Sequence, residues 1–132
     1  MRFVDTNIFI YALTAHPSFG QTAKHILERL ENGEEATTST LVLCEIAWVL
    51  EAMGKQGSIE STLEKILSYN SLKTIEITSD DMLMGANNMA AYNVDFNDGV
   101  NIALMMRLGI SEIYSNDQKH LGKLDFLKII FV

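Results

Sequence analysis

A wound α/β domain, with a central parallel sheet of four or five strands flanked by helices, is what this chain predicts, and three observations predict it. Short apolar runs alternate with stretches of helical period along the whole length, the order that repeated βαβ units produce. Stop signals such as Asn32-Gly33, Gly54 and Gly109 separate the segments. At 132 residues, with no internal repeat, linker or low-complexity tract, the chain makes one domain over residues 1–132. A domain of that length buries about two-thirds of the surface that its unfolded chain exposes.

The elements follow in order. Phe3-Val4 opens as an apolar strand and ends on Asp5-Thr6-Asn7. Ile8 to Ala15 reads as a short helix that Pro17 breaks, and Phe19 to Leu30 as a second with Ala23, Ile26, Leu27 and Leu30 on one face. An extended piece over Ala36 to Ser39 leads into a helix from Leu41 to Met53, closed by Gly54. Ser58 is the expected cap of the next helix, with Leu63, Ile66 and Leu67 inward. Leu72 to Ile77 alternates as a strand, and Ser79 is the expected cap of a helix to about Tyr92. Phe96 to Leu108 forms the last long helix, Ile110 to Tyr114 a strand, Asn116 to Lys123 a helical turn, and Leu127 to Val132 a closing strand.

Composition excludes several classes. Hydrophobic residues make 48% and charged residues 20% of the chain, with one proline, which argues against disorder. The single cysteine, Cys44, cannot form an internal disulfide and reads as a small core residue. With neither a disulfide framework nor a signal-peptide pattern, a reducing compartment, the cytoplasm, is expected. The longest apolar stretch, Leu41 to Leu50, is broken by Glu45 and is too short to span a bilayer. A net charge of −7 is awkward for nucleic-acid binding, which draws on Lys and Arg. Committing four of the seventeen acids to cations leaves thirteen against ten bases. The nearest basic group is Lys119, His120, Lys123 and Lys128, which reads first as a solvated face.

Four acids stand out. Asp5 ends the first strand, where open α/β sheets bind ligands, although a helix cap is its simpler reading. Glu45 has Leu41, Val42, Trp48 and Val49 as helical neighbours, and no base occurs from Ala36 to Met53 to pair with it. Asp98 stands at the start of the Phe96 to Leu108 helix, with Asn101 three residues on to orient its carboxylate; Asp95 is the alternative inward acid. Asp117 follows the Ile110 to Tyr114 strand as Asp5 follows the first.

Two carboxylates about 4 Å apart repel by roughly 4 kcal/mol at an effective dielectric of 20. Converging acids must therefore be protonated or bound to a cation. All-oxygen donors suit Mg²⁺ or Mn²⁺, and His16, His25 and His120 match no zinc spacing. Ions so held activate water and stabilise charge on a phosphodiester, which makes hydrolysis of a nucleic-acid backbone the expected chemistry.

The arrangement resembles the PIN-domain family, and within it the small ribonucleases of VapC type that serve as toxins of toxin–antitoxin pairs. The resemblance covers essentially the whole chain. It lies in Val4-Asp5-Thr6-Asn7, in Ser39 with Glu45, in the Asp98-Gly99-Val100-Asn101 segment and in Ser115-Asn116-Asp117. It implies that Asp5, Glu45, Asp98 and Asp117 are the catalytic, metal-binding acids, with Asn7 and Ser115 as polar supports. It further implies a Mg²⁺- or Mn²⁺-dependent endoribonuclease acting on RNA, a homodimer and an antitoxin partner. Similar domains also serve in RNA processing. Two other classes compete. A Mg²⁺-binding receiver-like signalling module wants an adjacent acidic pair after the first strand, where Asp5 is followed by Thr6-Asn7; the adjacent aspartates Asp80-Asp81 follow Ser79 and serve the helix dipole. A non-catalytic interaction domain would use exposed apolar surface, whereas Met82, Met84, Met89, Met105 and Met106 are expected to be mostly core.

Overall fold

A computed structural model describes residues 1–132. Three residues suffice for the central strand, because Phe3 and Val4 in β1 (Arg2–Val4) are fully buried between two layers of helix. β2 (Ala36–Ser39) and β4 (Glu112–Tyr114) flank it, and β3 (Leu72–Ile75) and β5 (Lys128–Ile130) form the edges. All pairs are parallel, in the order β3-β2-β1-β4-β5. The chain winds outward from β1 in one direction through β3, then returns to the other side of β1 as β4. The resulting switch point lies between β1 and β4, the position where such sheets open a crevice beyond their strand ends. Register fixes which residues meet there. Phe3 pairs with Thr37 and Ile113, and Val4 with Tyr114, so Asp5 and Ser115 leave the sheet side by side.

β2 is buried throughout although it reads Ala-Thr-Thr-Ser. Its hydroxyls are satisfied: Thr38 Oγ1 donates to the Val4 carbonyl (2.9 Å) and Ser39 Oγ to Asn101 Oδ1 (2.7 Å). Ser39 also caps α3 (Thr40–Ala52) by accepting from Val42 N. On the other strands the apolar residues face α1 (Thr6–Leu13), α2 (Gly20–Glu31) and α6 (Phe96–Leu108), which supply Ile8, Ile26, Leu30, Ile102 and Leu104 to the core.

α6 is buried continuously from Gly99 to Met105. It can be enclosed so tightly because α5 (Ser79–Tyr92) crosses it at two glycines. A Cβ on Gly85 would stand 2.9 Å from Val100 Cα, and one on Gly99 would meet the Gly85 carbonyl oxygen closer still. Asn88, also buried, donates to the Gly99 carbonyl at 2.9 Å across the same crossing. Arg107 holds the buried Asp81 by two hydrogen bonds of 2.9 and 3.1 Å, which keeps that carboxyl below its ordinary value.

Several local expectations are corrected. α5 is capped by Thr78, not Ser79: Thr78 Oγ1 accepts from Asp81 N, and Asp81 Oδ2 accepts from Thr78 N. Asp81 is therefore a cap and an ion-pair partner rather than a free dipole charge. Thr78→Ala is expected to cost about 1 kcal/mol in denaturant unfolding. Ser58 makes no side-chain cap to α4 (Ile59–Leu67), and Leu67 is exposed because α4 turns only Ile66 fully inward. Cys44 is exposed, since α3 presents Val42, Ile46 and Leu50 to the core and Cys44 lies off that stripe. Of the five methionines expected in the core, only Met105 is buried; Met82, Met84, Met89 and Met106 lie on the outer faces of α5 and α6. No helix is long and apolar enough to cross a membrane.

Candidate active site

Asp5 leaves β1 with an extended backbone and caps α1, accepting from Thr6 N through Oδ1 at 2.8 Å. Its other oxygen accepts from Ser115 Oγ at 2.8 Å. Ser115 is fully buried at the end of β4, and it ties the two strand ends together: its Oγ accepts from Asn7 Nδ2 and from Asp117 N, both at 3.1 Å. Asn7 Oδ1 in turn accepts from Asn116 N. Asn7 and Ser115 thus tie the Asp5 and Asp117 loops together.

Glu45 reaches the same end of the sheet from α3. Its partner is not a base: Thr6 Oγ1 donates to Oε1 at 2.9 Å and Asn97 Nδ2 to Oε2 at 3.4 Å. Hydrogen bonds therefore link Glu45 through the hydroxyl and backbone of Thr6, Asp5 and Ser115 to the backbone N–H of Asp117. Asp98 approaches it from the first turn of α6. Asp95 is the cap of that helix, accepting from Asp98 N at 2.8 Å. The two acids differ in setting: Asp95 is exposed and serves the backbone, whereas Asp98 is partly buried and receives no hydrogen bond on its carboxylate.

Asn101 does not orient Asp98. It is buried one turn deeper, and its Oδ1 takes the Ser39 hydroxyl, so it joins α6 to β2 instead. Thr6, Asn97 and His120 carry no site role in the sequence reading, which places His120 on a solvated basic face, yet each touches a site acid. His120 donates its backbone N–H to Asp117 and sets Nδ1 3.0 Å from Asp117 Oδ1 on α7 (Gln118–Leu121). Only their positions one, one and three residues from an acid mark them.

The acids feel one another. Asp98 is pushed up to about 7 by burial first, then by the charges of Asp95, Asp5, Asp117 and Glu45. Asp5 is raised to about 6 by burial, against the bonds from Ser115 and Thr6, with Glu45 and Asp117 adding to the rise. Burial, and secondly the Asp95 charge, also raise Glu45. None of the four pairs with a lysine or arginine. No cage of three or more His, Cys, Asp or Glu side chains that could hold a metal ion is formed. Such a cage is not what Mg²⁺ requires: it uses one or two carboxylates and keeps several of its waters. The oxygen-only donors, their mutual repulsion and the unbonded Asp98 carboxylate fit a hydrated hard cation.

A pH dependence follows. The folded chain binds the Asp5 and Asp98 protons more tightly than the unfolded chain, so their contribution is full below about pH 4 and is lost as pH rises through about 6 and 7. Chemical denaturation of the metal-free chain is expected to show stability falling by on the order of 2–4 kcal/mol across that window.

Comparison with known proteins agrees with this architecture. The family model described as PIN domain matches residues 2–127. Among solved structures, the chain is similar to VapC20 of Mycobacterium tuberculosis, described as a sarcin–ricin-loop-cleaving toxin, at 20% identity and a TM-score of 0.78 over 92% of this chain and 94% of that one. It is also similar to a chain of VapBC2 from Rickettsia felis bound to promoter DNA (19% identity, TM-score 0.73, 98% and 96% covered). A chain of FitAcB from Neisseria gonorrhoeae is a third (15%, 0.65, 98% and 96%). No curated protein sequence matches the chain.

Proposed function

The chain belongs to the PIN-domain family, and from that premise we propose that it is a Mg²⁺- or Mn²⁺-dependent endoribonuclease, the toxin of a cytoplasmic toxin–antitoxin pair. The observation that carries the reading is the raised carboxyls of Asp5, Glu45 and Asp98 at the switch point, with the Asp117 charge acting on Asp5 and Asp98 and no lysine or arginine paired with any of the four. Asp98, Asp5, Glu45 and Asp117 are the carboxylates that would hold a divalent cation. Once bound, such an ion supplies positive charge to a phosphodiester and lowers the pKa of an attacking water.

The chain's own residues prepare that event. Thr6 and Ser115 fix Asp5 through both oxygens, so its lone pairs have one orientation. Thr6 and Asn97 fix Glu45. Asp98 is left unbonded as the most readily recruited group. Likeness to chains from toxin–antitoxin complexes, that of Klebsiella pneumoniae among them, supports an antitoxin as partner. The apolar outer face of α5, with Met82, Leu83, Met84 and Met89 exposed, supports a second copy of the chain as another.

Purified chain incubated with RNA is expected to cleave it in Mg²⁺ or Mn²⁺ and not in EDTA. Cleavage in EDTA, or none in either ion, refutes the reading. Because a cation favours the ionised carboxylates, Mn²⁺ is also expected to raise the melting temperature more at pH near 8 than near 5.

A further inference from the structure

For a chain with net charge −7 the phosphates of a substrate are the weaker handle. Of its ten Lys and Arg, Arg2 and Arg107 are tied to acids, Arg29 to the Val132 carbonyl and Lys123 to the Asn93 carbonyl, which leaves six lysines. Phosphate contacts need free Lys and Arg, and each contributes to the salt dependence of binding. The bases themselves are the other handle. Base stacking on an aromatic ring is sequence-tolerant and needs no charge.

Two rings are available. Trp48 is 53% and Phe96 41% exposed, and neither packs on another ring. The other partly exposed rings are engaged: Tyr11, Phe19 and Phe131 pack together, Phe126 packs on Tyr92, and Tyr69 donates to Glu31. Both free rings lie on segments that carry residues of the acid site. Trp48 is three residues beyond Glu45 on α3, which places their Cβ atoms about 5–6 Å apart on neighbouring faces. Phe96 directly precedes Asn97, whose Nδ2 donates to Glu45. One hydrogen bond thus joins the two segments that expose these rings.

Resting on the ribonuclease reading, we propose that Trp48 and Phe96 stack on unpaired bases of the RNA beside the phosphate to be cleaved. Such a site recognises single-stranded or looped RNA and refuses a continuous duplex, whose base faces are already stacked.

Trp48 is the only tryptophan, so it reports on itself. The probe is an unstructured oligouridylate and its fully paired duplex with oligoadenylate, titrated against the whole chain in EDTA and against the Asp98→Asn variant in Mg²⁺. The single strand is expected to quench Trp48 emission, with a shallow salt dependence, and the duplex is not. Trp48→Ser and Phe96→Ser are each expected to weaken binding about 5- to 100-fold, with Trp48→Phe recovering most of the loss. Melting temperatures identify any variant that is merely unfolded. Unquenched emission with wild-type affinity in both serine variants overturns the proposal. Equal binding of duplex also overturns it, as does emission that follows protein concentration rather than RNA, which assigns the rings to a contact between copies. The two readings separate cleanly. Metal-dependent cleavage untouched by Trp48→Ser and Phe96→Ser sinks the stacking site alone, whereas quenching without cleavage sinks the nuclease alone.

Discussion

Asp98→Asn is expected to abolish RNA cleavage while making the metal-free chain more stable. The two effects have one cause. The Asp98 carboxyl is raised to about 7 because burial and four neighbouring acids oppose its charge, and no donor compensates. An amide of the same shape removes that opposition, so the variant should gain about 1–2 kcal/mol near pH 8, once solvent screening of a partly exposed group is allowed for. Near pH 4, where the carboxyl is already neutral, the gain should vanish. Cleavage should fall by at least two to three orders of magnitude, the scale on which removing one preorganised electrostatic group acts. Asp5→Asn should lose activity equally but without the gain, because Asp5 Oδ1 and Oδ2 accept from Thr6 and Ser115 and an amide nitrogen cannot accept. Retained cleavage in both purified variants contradicts the assignment of these acids.

Gly85→Ala carries the second large effect, this time on the fold. The α5 and α6 backbones touch at Gly85 and Gly99, and an added methyl would stand 2.9 Å from Val100 N and Cα. Because the contact is with backbone, no rotamer change relieves it. Overpacking of this kind costs about 1–3 kcal/mol, a fall of roughly 5–15 °C in melting temperature for a domain of this size. Moving α6 outward also moves Asp98 and Asn97 on its first turn, so cleavage by the folded fraction should drop as well. Gly57→Ala is the control, since nothing lies within 4 Å of the position. A Gly85→Ala chain as stable as the parent would mean that the helices separate freely, and that the crossing does not position the third acid.

What the sequence shows and what it hides divide on a physical line. Strands β1 and β4 were legible because Phe3-Val4 and Ile113-Tyr114 are apolar and end on polar residues. The acids were legible for a related reason: Glu45 on an apolar helix with no base in reach is costly unless something is built around it. β2 was legible only as an extended gap between helices, because its burial depends on hydroxyl partners in Val4 and Asn101, distant in sequence. The same distance misled the reading of Asn101, whose spacing from Asp98 suggests a local contact that Ser39 wins instead. Thr6 and Asn97 stayed hidden because each is an ordinary polar residue in a first helical turn, and only the approach of α3 gives them Glu45 to hold. The exposed methionines of α5 show the limit of composition: their periodicity locates a helix but does not say whether its apolar side faces this chain or another.

The most direct measurement is a pH titration of the Asp5 and Asp98 side-chain carboxyl carbons by NMR, with and without Mg²⁺. If these oxygens form one field that a cation neutralises, Asp5 should titrate at about 6 and Asp98 at about 7 in the metal-free chain, and Mg²⁺ should drive both values down. Two carboxyls titrating independently near 4, unmoved by the ion, would contradict it.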